Sequence, residues 1–400
     1  MIHHTKAINS FLEYVKVQLP IIQAPMAGVQ DSKLAIAVSQ AGGLGSLPGA
    51  LLSLQKIESE IVSIRQATDA PFNVNFFAHQ QPDYTQAMQE KWFNTLQPYY
   101  QEFGLTQDEI ATTGGRQPFT HEQAALLADL KVPVVSFHFG LPDKALLNIV
   151  KKSGAIVISS ATTPAEARWL QANGADMIIA QGLEAGGHRG MFLSQDVTLQ
   201  AGTFSLLPNI INAVSLPVIA AGGISDNATA QSAFAMGASA VQVGTAFLLA
   251  EECDTKDFHH KALQSERAEH TALTNVFSGG LARGIVNRFM QEAGYISESA
   301  PPFPHASFVS NPIKAKAESM GSDEFSSLWA GQNARLAKSG TVDKITGLLI
   351  AKIILIYFVS KKNVSSITHV LFTAQFRNLM FCHQDFLGQN SHKTQNHQLE

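Results

Sequence analysis

Short apolar runs that stop at small or polar residues recur along the first two thirds of the chain. A run that ends at glycine, serine, asparagine or threonine is typical of a buried strand that delivers a backbone-rich loop. Eight such runs are predicted as strands: Ile21–Pro25, Gly43–Ser46, Phe72–Phe76, Val132–Phe137, Ala155–Ser159, Met177–Ala180, Val218–Ala221 and Val241–Val243. Segments with helical periodicity follow most of them: Lys33–Gln40, Leu54–Ala67, Asp143–Lys151, Pro164–Asn173 and Asn227–Met236.

This alternation of strand and helix is the signature of a parallel sheet, and eight units favour a closed barrel. We therefore predict an α/β fold, a TIM (β/α)8 barrel over residues 1–250. Residues 78–131 are long for one connection and are predicted as an insertion, with a helical pattern over Tyr84–Gln97. Residues 251–340 are predicted as a helical cap, because loops at the carboxyl ends of barrel strands build active sites.

Residues 341–400 have a different composition and form an atypical tail. From Lys344 to Glu400 the chain has only two acidic residues, Asp385 and Glu400. This part contains no proline, because the last proline of the chain is Pro312. We expect this tail to lie outside the catalytic fold, as an out-of-frame reading, a lineage-specific extension or a membrane-associating segment. The alternative is that its apolar run, Ile345–Val359, forms the last helix that covers the barrel.

The overall composition narrows the class of protein. The 400 residues are 45% hydrophobic and 15% charged with a net charge of −4, so the chain can bury a large core. It has no basic block of the kind that binds nucleic acid. Cys253 and Cys382 lack metal-site spacing, which predicts no metal and fits a reducing cytoplasm. Neither a signal peptide nor a membrane-spanning stretch is predicted, and a monomer and a homodimer both remain open.

The segment GADMIIAQGLEAGGHRG, residues 174–190, carries the most specific chemistry. Glycine lets the main chain approach a ligand closely, and an imidazole in such a loop, His188, is well placed for acid–base chemistry. The competing interpretation is a hydrogen-bonded structural histidine. Arg189 is predicted either to neutralise a phosphate or substrate charge or to form a surface salt bridge.

Two further glycine-containing segments follow the seventh and eighth predicted strands. Gly222 and Gly223 end the first of these strands, and Gly244 and Thr245 end the second. Barrels often hold a phosphate between these two loops with backbone N–H groups and helix N-termini. The alternative is that the glycines only allow tight strand-to-helix turns.

These segments, with several others, resemble the nitronate monooxygenase family, formerly called 2-nitropropane dioxygenase. The matching motifs span about Leu19 to Lys338: QAPMAG (23–28), GGLGSLPG (42–49), FNVNFF (72–77), the 181–190 loop, AAGGIS (220–225), QVGTAFL (242–248), FSGGLARGIVN (277–287) and LWAGQNARL (328–336). The resemblance implies a barrel that binds one FMN. It places Ala24, Pro25, Met26, Asn75, Gln181, Gly186 and Gly187 around the flavin ring, and Gly222, Gly223, Gln242, Gly244 and Thr245 near its phosphate.

The resemblance also implies roles for particular side chains. His188 matches the catalytic histidine, which removes a proton alpha to a nitro group when neutral or stabilises nitronate oxygens when protonated. His138, in SFHFG, is expected to contact substrate or flavin, or else to serve as a structural hydrogen-bonding residue. Ser278, Arg283 and Asn287 are expected to position the cap or simply to cap local structure. The remaining histidines, including His3–His4 and His259–His260, are expected to be solvated.

The implied activity is the flavin-dependent oxidation of alkyl nitronates with O2 to carbonyl compounds and nitrite. Propionate 3-nitronate is the implied kind of substrate, and nitronate detoxification the implied role. Two alternatives remain: an FMN-dependent NAD(P)H:quinone or enoyl-thioester reductase of the same fold, and a non-catalytic protein that binds flavin or nucleotide phosphate.

Overall fold

A computed structural model describes residues 2–111 and 116–350 of the chain. Its largest element is an eight-stranded parallel sheet in which every predicted strand is present. The strands are β1 (Ile21–Gln23), β2 (Gly45–Pro48), β3 (Phe72–Phe77), β4 (Val134–His138), β5 (Ile156–Ala161), β6 (Met177–Gln181), β8 (Val218–Ala221) and β9 (Ala240–Val243). A two-residue strand, β7 (Gly187–His188), belongs to a separate three-stranded sheet.

The eight strands close into a ring. β1 pairs in parallel with β9, with Ile21 opposite Val241, and it also meets β2. The N–H of Leu44 donates to the carbonyl of Ile21 at 2.8 Å, and the N–H of Gln23 donates to the carbonyl of Leu44 at 3.0 Å. The predicted TIM barrel is therefore confirmed.

Helices cover the outside of this barrel. They are α2 (Ser32–Gln40), α3 (Leu54–Ala67), α5 (His121–Asp129), α6 (Lys144–Lys152), α7 (Pro164–Ala172), α8 (Thr203–Ala213) and α9 (Asn227–Ala235). Several begin at a residue that satisfies free backbone N–H groups: Asp31 accepts from the N–H of Lys33, and Asp143 accepts from the N–H of Ala145. These caps explain why the predicted and observed helix starts agree closely.

A further helix, α1 (Ile2–Val15), was not predicted. Its Phe11 and Val15 are buried and pack in one cluster with barrel-interior residues such as Val134, Met177 and Ala240, which begin β4, β6 and β9. The helix therefore covers the amino-terminal end of the barrel, opposite the end that builds active sites in this fold.

The cap has its own hydrophobic core, to which the insertion contributes. Helix α4 (Gln86–Phe103) packs against α11 (Arg288–Glu292) and α12 (Ala306–Ser319). The indole Nε1 of Trp92 donates to the carbonyl of Ala306 at 3.1 Å, and the Tyr100 hydroxyl donates to the carbonyl of Val309 at 2.8 Å. Residues 78–131 are therefore split: α4 joins the cap, whereas α5 covers the barrel.

The cap contains strands as well as the predicted helices. Besides α10 (Asp257–Gln264), α11 and α12, the cap holds a three-stranded antiparallel sheet of β10 (Thr271–Thr274), β11 (Ala282–Ile285) and β7. In this sheet Ala282 is opposite His188, so the cap pairs directly with the loop that carries the candidate base. Strands this short have too few residues to show a hydrophobic alternation, and β7 and β11 are far apart in sequence. No local sequence pattern therefore predicts this sheet.

The boundary predicted at residue 340 also differs from the structure. Helix α13 (Val342–Ile350) packs against α2 and α9, with Ile345 and Leu349 buried in the main core. The Asn227 side chain donates to the Leu349 carbonyl at 3.2 Å. The first ten residues of the expected tail therefore belong to the barrel's outer layer. The remainder of Ile345–Val359, Cys382 and the rest of residues 351–400 lie outside the described residues.

Candidate active site

A cavity of about 410 Å³ lies at the carboxyl ends of the barrel strands, beneath the cap. The residues that the resemblance places around the flavin, together with His138 and His188, all line it. These residues are Ala24, Pro25, Met26, Asn75, His138, Gln181, Gly186, Gly187, His188, Gly222, Gly223, Gln242, Gly244 and Thr245. The fold therefore brings together side chains and backbone from six of the eight barrel strands and the loops that follow them.

One end of the cavity is a cradle of backbone groups. Gly222 and Gly223 have φ values of +113° and +70°, which favour glycine. Within the described part of the chain, the N–H groups of Gly222, Gly223, Gly244 and Thr245 have no protein acceptor. Thr245 also begins a 3-10 helix, Thr245–Leu249. Free N–H groups on the wall of one cavity, beside a helix start, fit a phosphate.

The LWAGQNARL segment covers this cradle. The N–H of Gly331 donates to the Thr245 hydroxyl at 2.9 Å, and the Asn333 side chain donates to the Gly223 carbonyl at 2.5 Å. Gly186 is packed so tightly under the segment that a Cβ there would lie 2.6 Å from the Gly331 nitrogen. This glycine is therefore required by backbone packing as well as by any approach to a ligand.

Gln181 fixes the shape of the histidine loop. Its Oε1 accepts from the N–H of Gly190 at 2.7 Å, and its Nε2 donates to the His188 carbonyl at 2.9 Å. Asn75 lies across the cavity, and its amide donates to the Ser136 hydroxyl at 2.9 Å. The two amides thus have fixed orientations at the cavity wall.

Arg189 has neither of its predicted roles. The side chain is 1% exposed and does not line the cavity. Its guanidinium donates to the carbonyls of Gly182 at 2.6 Å and Gln181 at 2.7 Å, and to Gln200 at 3.0 Å. Burial lowers the pKa of Arg189 to about 10, so it stays charged at neutral pH. The residue ties the two ends of the histidine loop together.

His138 has a protein partner at each ring nitrogen. Its Nε2 lies 3.1 Å from the His188 carbonyl, which can only accept, so Nε2 carries the proton. Its Nδ1 then accepts from the Ser160 hydroxyl at 2.7 Å. Burial lowers the pKa of His138 to about 4, which keeps the ring neutral. A side chain at position 190 would collide with this pair, because a Cβ there would lie 2.6 Å from the Ser160 oxygen.

His188 sits between the barrel and the cap. Its Nε2 lies 2.7 Å from the Ser278 hydroxyl, and its ring centroid lies 5.2 Å from that of Phe303 and 5.5 Å from that of Trp329. Burial holds the pKa of His188 well below 6.5, and the charge of Arg116 lowers it further. The imidazole is therefore neutral at physiological pH and able to accept a proton.

The other residues of FSGGLARGIVN connect the cap to the barrel. Arg283 donates from Nε to the Leu183 carbonyl at 2.9 Å, beneath the histidine loop. Asn287 accepts from the N–H of Met290 at the start of α11 and donates to the Ser326 carbonyl at 2.9 Å. Ser278 alone of these three contacts the candidate base.

Sequence reasoning missed several residues of the cavity. His259, expected to be solvated, is 5% exposed and lines it, and Arg116, Lys256, Lys314 and Glu318 line it as well. For His259 a signal existed, because His259, Ala262 and Leu263 follow the helical spacing of a buried face. Arg116 lies in the insertion, where no local pattern indicated a site. The described residues contain no cluster of side chains suited to a metal ion.

A closed barrel, a cradle of free N–H groups after its last two strands and a neutral histidine under a cap define a class: barrel enzymes with the active site at the carboxyl ends of the strands. The family model for nitronate monooxygenase matches residues 9–352. The chain belongs to the nitronate monooxygenase family, and it is an oxidoreductase.

The part of the chain that the structure describes has no helix with the length and apolar character needed to cross a membrane.

Two relatives and one solved structure agree with this assignment, and a second structure is less similar. The chain is 40% identical over 335 residues to a nitronate monooxygenase of Pseudomonas aeruginosa, covering 82% of this chain and 95% of that protein. It is 36% identical over 346 residues to a probable nitronate monooxygenase of Staphylococcus aureus, covering 86% and 97%. The structure of nitroalkane oxidase from Streptomyces ansochromogenes aligns with a TM-score of 0.80 at 36% identity, covering 88% and 99% of the two chains. FabK from Thermotoga maritima aligns less well, with a TM-score of 0.63 at 25% identity, covering 89% and 99%.

Proposed function

We propose that the protein is an FMN-dependent nitronate monooxygenase, which oxidises alkyl nitronates with O2 to carbonyl compounds and nitrite. The observation that carries the proposal is the placement of neutral His188 and the free N–H cradle on the wall of one cavity. The nitronate monooxygenases among the relatives support it. The barrel, residues 1–250 with α13, would hold the flavin, and residues 251–340 with α4 would complete the site.

FMN fits the donor set of the cavity. The N–H groups of Gly222, Gly223, Gly244 and Thr245 would hold its phosphate. Ala24–Met26, Asn75, Gln181, Gly186 and Gly187 would surround its ring, and Gln242 would lie near its phosphate. When bound, FMN would supply the electron transfer between nitronate and O2.

The protein's own contribution is orientation and control of protons. His138 would act as a positioning residue, because both its nitrogens are used to hold the His188 carbonyl and Ser160. His188 would accept the proton of a neutral nitroalkane, yet its lowered pKa makes it a weak base. A nitronate is already deprotonated, so its oxidation needs no proton transfer to His188. We therefore propose that preformed nitronates are preferred over nitroalkanes.

An aerobic assay with propionate 3-nitronate, with nitrite as the readout, tests the activity. Acid-released cofactor should run as FMN on chromatography, whereas FAD or the absence of flavin after reconstitution would contradict the cofactor assignment. The reductase alternative is tested with the same protein: rapid bleaching of the flavin by NADH without nitronate would favour it. Replacement of His188 without effect on turnover would favour the non-catalytic alternative.

A further inference from the structure

Arg116 places a positive charge on the cavity wall beside the candidate base. The residue lines the cavity together with His138 and His188. Its Cζ lies 5.7 Å from the centre of the Phe303 ring, and that ring centre lies 5.2 Å from the His188 ring centre. Nothing in the assignment of the flavin or of the proton transfer uses this guanidinium.

The guanidinium has no carboxylate partner among residues 2–111 and 116–350, since none of their ion pairs includes Arg116. Residues 112–115 are Thr-Thr-Gly-Gly and cannot provide one. Glu318 is the one acidic residue among the described residues that line the cavity, and it already bonds Lys256 at 2.7 Å and Ser326 at 2.7 Å. Burial lowers the pKa of Arg116. Since a partly desolvated cation is unfavourable without an anion, and the described residues supply none, we take a bound ligand as its partner.

We propose that Arg116 binds the planar oxyanion of the substrate and so selects anionic substrates for this site. The inference rests on the proposed function and names the residue that recognises the substrate's charge. A guanidinium presents two parallel N–H donors, which match the two coplanar oxygens of a nitronate or a carboxylate. A neutral nitroalkane has no charge to pair with it.

Arg116 and His188 then have different roles at this end of the cavity: Arg116 binds the anion, and His188 accepts a proton. The fixed charge of Arg116 attracts the anion, and the same charge disfavours protonation of the nearby imidazole. A protonated His188 would also attract an anion, but it could not accept a proton. Separate residues therefore supply the positive charge and the basic nitrogen.

The test compares Arg116→Met and Arg116→Lys with Arg65→Met in the flavin-loaded enzyme. Arg65 is a matched control, because its Cζ also lies near an aromatic ring, 5.9 Å from the Phe72 ring centre, but it does not line the cavity. Inorganic nitrate is a planar oxyanion that is not turned over, and its dissociation constant is measured by calorimetry. Hydrogen bonds to charged groups are worth about 1.5–3 kcal/mol, so Arg116→Met should weaken nitrate binding about ten- to hundredfold. Arg116→Lys should recover part of this loss, and Arg65→Met should resemble the wild type.

Steady-state KM values for ethyl nitronate and propionate 3-nitronate identify the bound group. A rise for both substrates in Arg116→Met places Arg116 on the nitronate oxygens, and a rise for propionate 3-nitronate alone places it on the carboxylate; either supports the proposal. Unchanged nitrate binding with unchanged KM values in both Arg116 variants would overturn it. If the wild type forms no nitrite, the proposed activity fails, yet nitrate binding still decides whether Arg116 is an anion site.

Discussion

The imidazole of His188 and the hydroxyl of Ser278 are 90 residues apart in sequence and lie 2.7 Å apart across the junction of barrel and cap. The Ser278 oxygen is also 3.5 Å from the Gly280 carbonyl, to which only its hydroxyl can donate. If the Ser278 hydroxyl donates to the Gly280 carbonyl, its oxygen accepts from Nε2–H of His188. The free lone pair of the imidazole is then on Nδ1. The cap thus holds the imidazole ring of a side chain that the loop after β6 supplies.

Ser278→Ala should therefore lower turnover while FMN stays bound. Loss of one neutral hydrogen bond costs about 0.5–1.5 kcal/mol, so the fall in kcat for nitroalkanes should be about two- to tenfold. Ser310→Ala is the matched control: Ser310 is also buried in the cap and donates to the Phe277 carbonyl at 2.9 Å, away from His188. Equal losses in the two variants would assign the effect to cap stability rather than to the base.

His188→Asn should keep its flavin but lose turnover of neutral nitroalkanes more than turnover of preformed nitronates. The neutral substrate needs a base, and general-base catalysis typically contributes about 10²–10⁴-fold. The measurement is kcat/KM for nitroethane and for ethyl nitronate, with flavin content from absorbance. Equal losses on both substrates would instead assign His188 to binding or stabilisation of the anion, and no loss on either would remove it from the mechanism.

The buried histidines make stability depend on pH. Burial lowers the pKa of His259 to about 4, against about 6.5 in the unfolded chain. Between these values the unfolded state binds more protons, so the free energy of unfolding falls as the pH falls from 6.5 towards 4. At pH 5 this one residue accounts for about 2 kcal/mol of the loss.

Melting temperatures at pH 7 and pH 5 check this prediction. His259→Gln should show a smaller drop than the wild type, because glutamine keeps a hydrogen-bonding side chain and does not titrate. His121→Gln, at an exposed position on α5, should drop as the wild type does. A wild-type melting temperature that does not change between the two pH values would show that His259 is not the desolvated neutral group described above.

The barrel and its site could be predicted because their signals are local. Each strand is an apolar run ended by a small or polar residue, so the motifs after Gln181, Ala221 and Val243 were assigned to the same end of one barrel. Helix α1 also had a local signal, since Ile8, Phe11, Leu12 and Val15 follow helical spacing. The pairing of β7 with β11 and the contact of Ser278 with His188 join segments about 90 residues apart, and no local pattern reports such contacts.

The carboxyl-terminal boundary of the fold can be tested by truncation. Helix α13 buries Ile345, Leu349 and Ile350. Each buried side chain contributes about 1.5–3 kcal/mol, so the three together contribute at most about 4.5–9 kcal/mol. A chain that ends after Gly340 should therefore melt at a clearly lower temperature than the full chain and lose flavin on gel filtration. A chain that ends after Lys352 keeps the helix and the whole family match, and it should retain FMN and its melting temperature. If the chain that ends after Gly340 melts at an unchanged or higher temperature with its flavin bound, α13 is dispensable and the fold ends near residue 340.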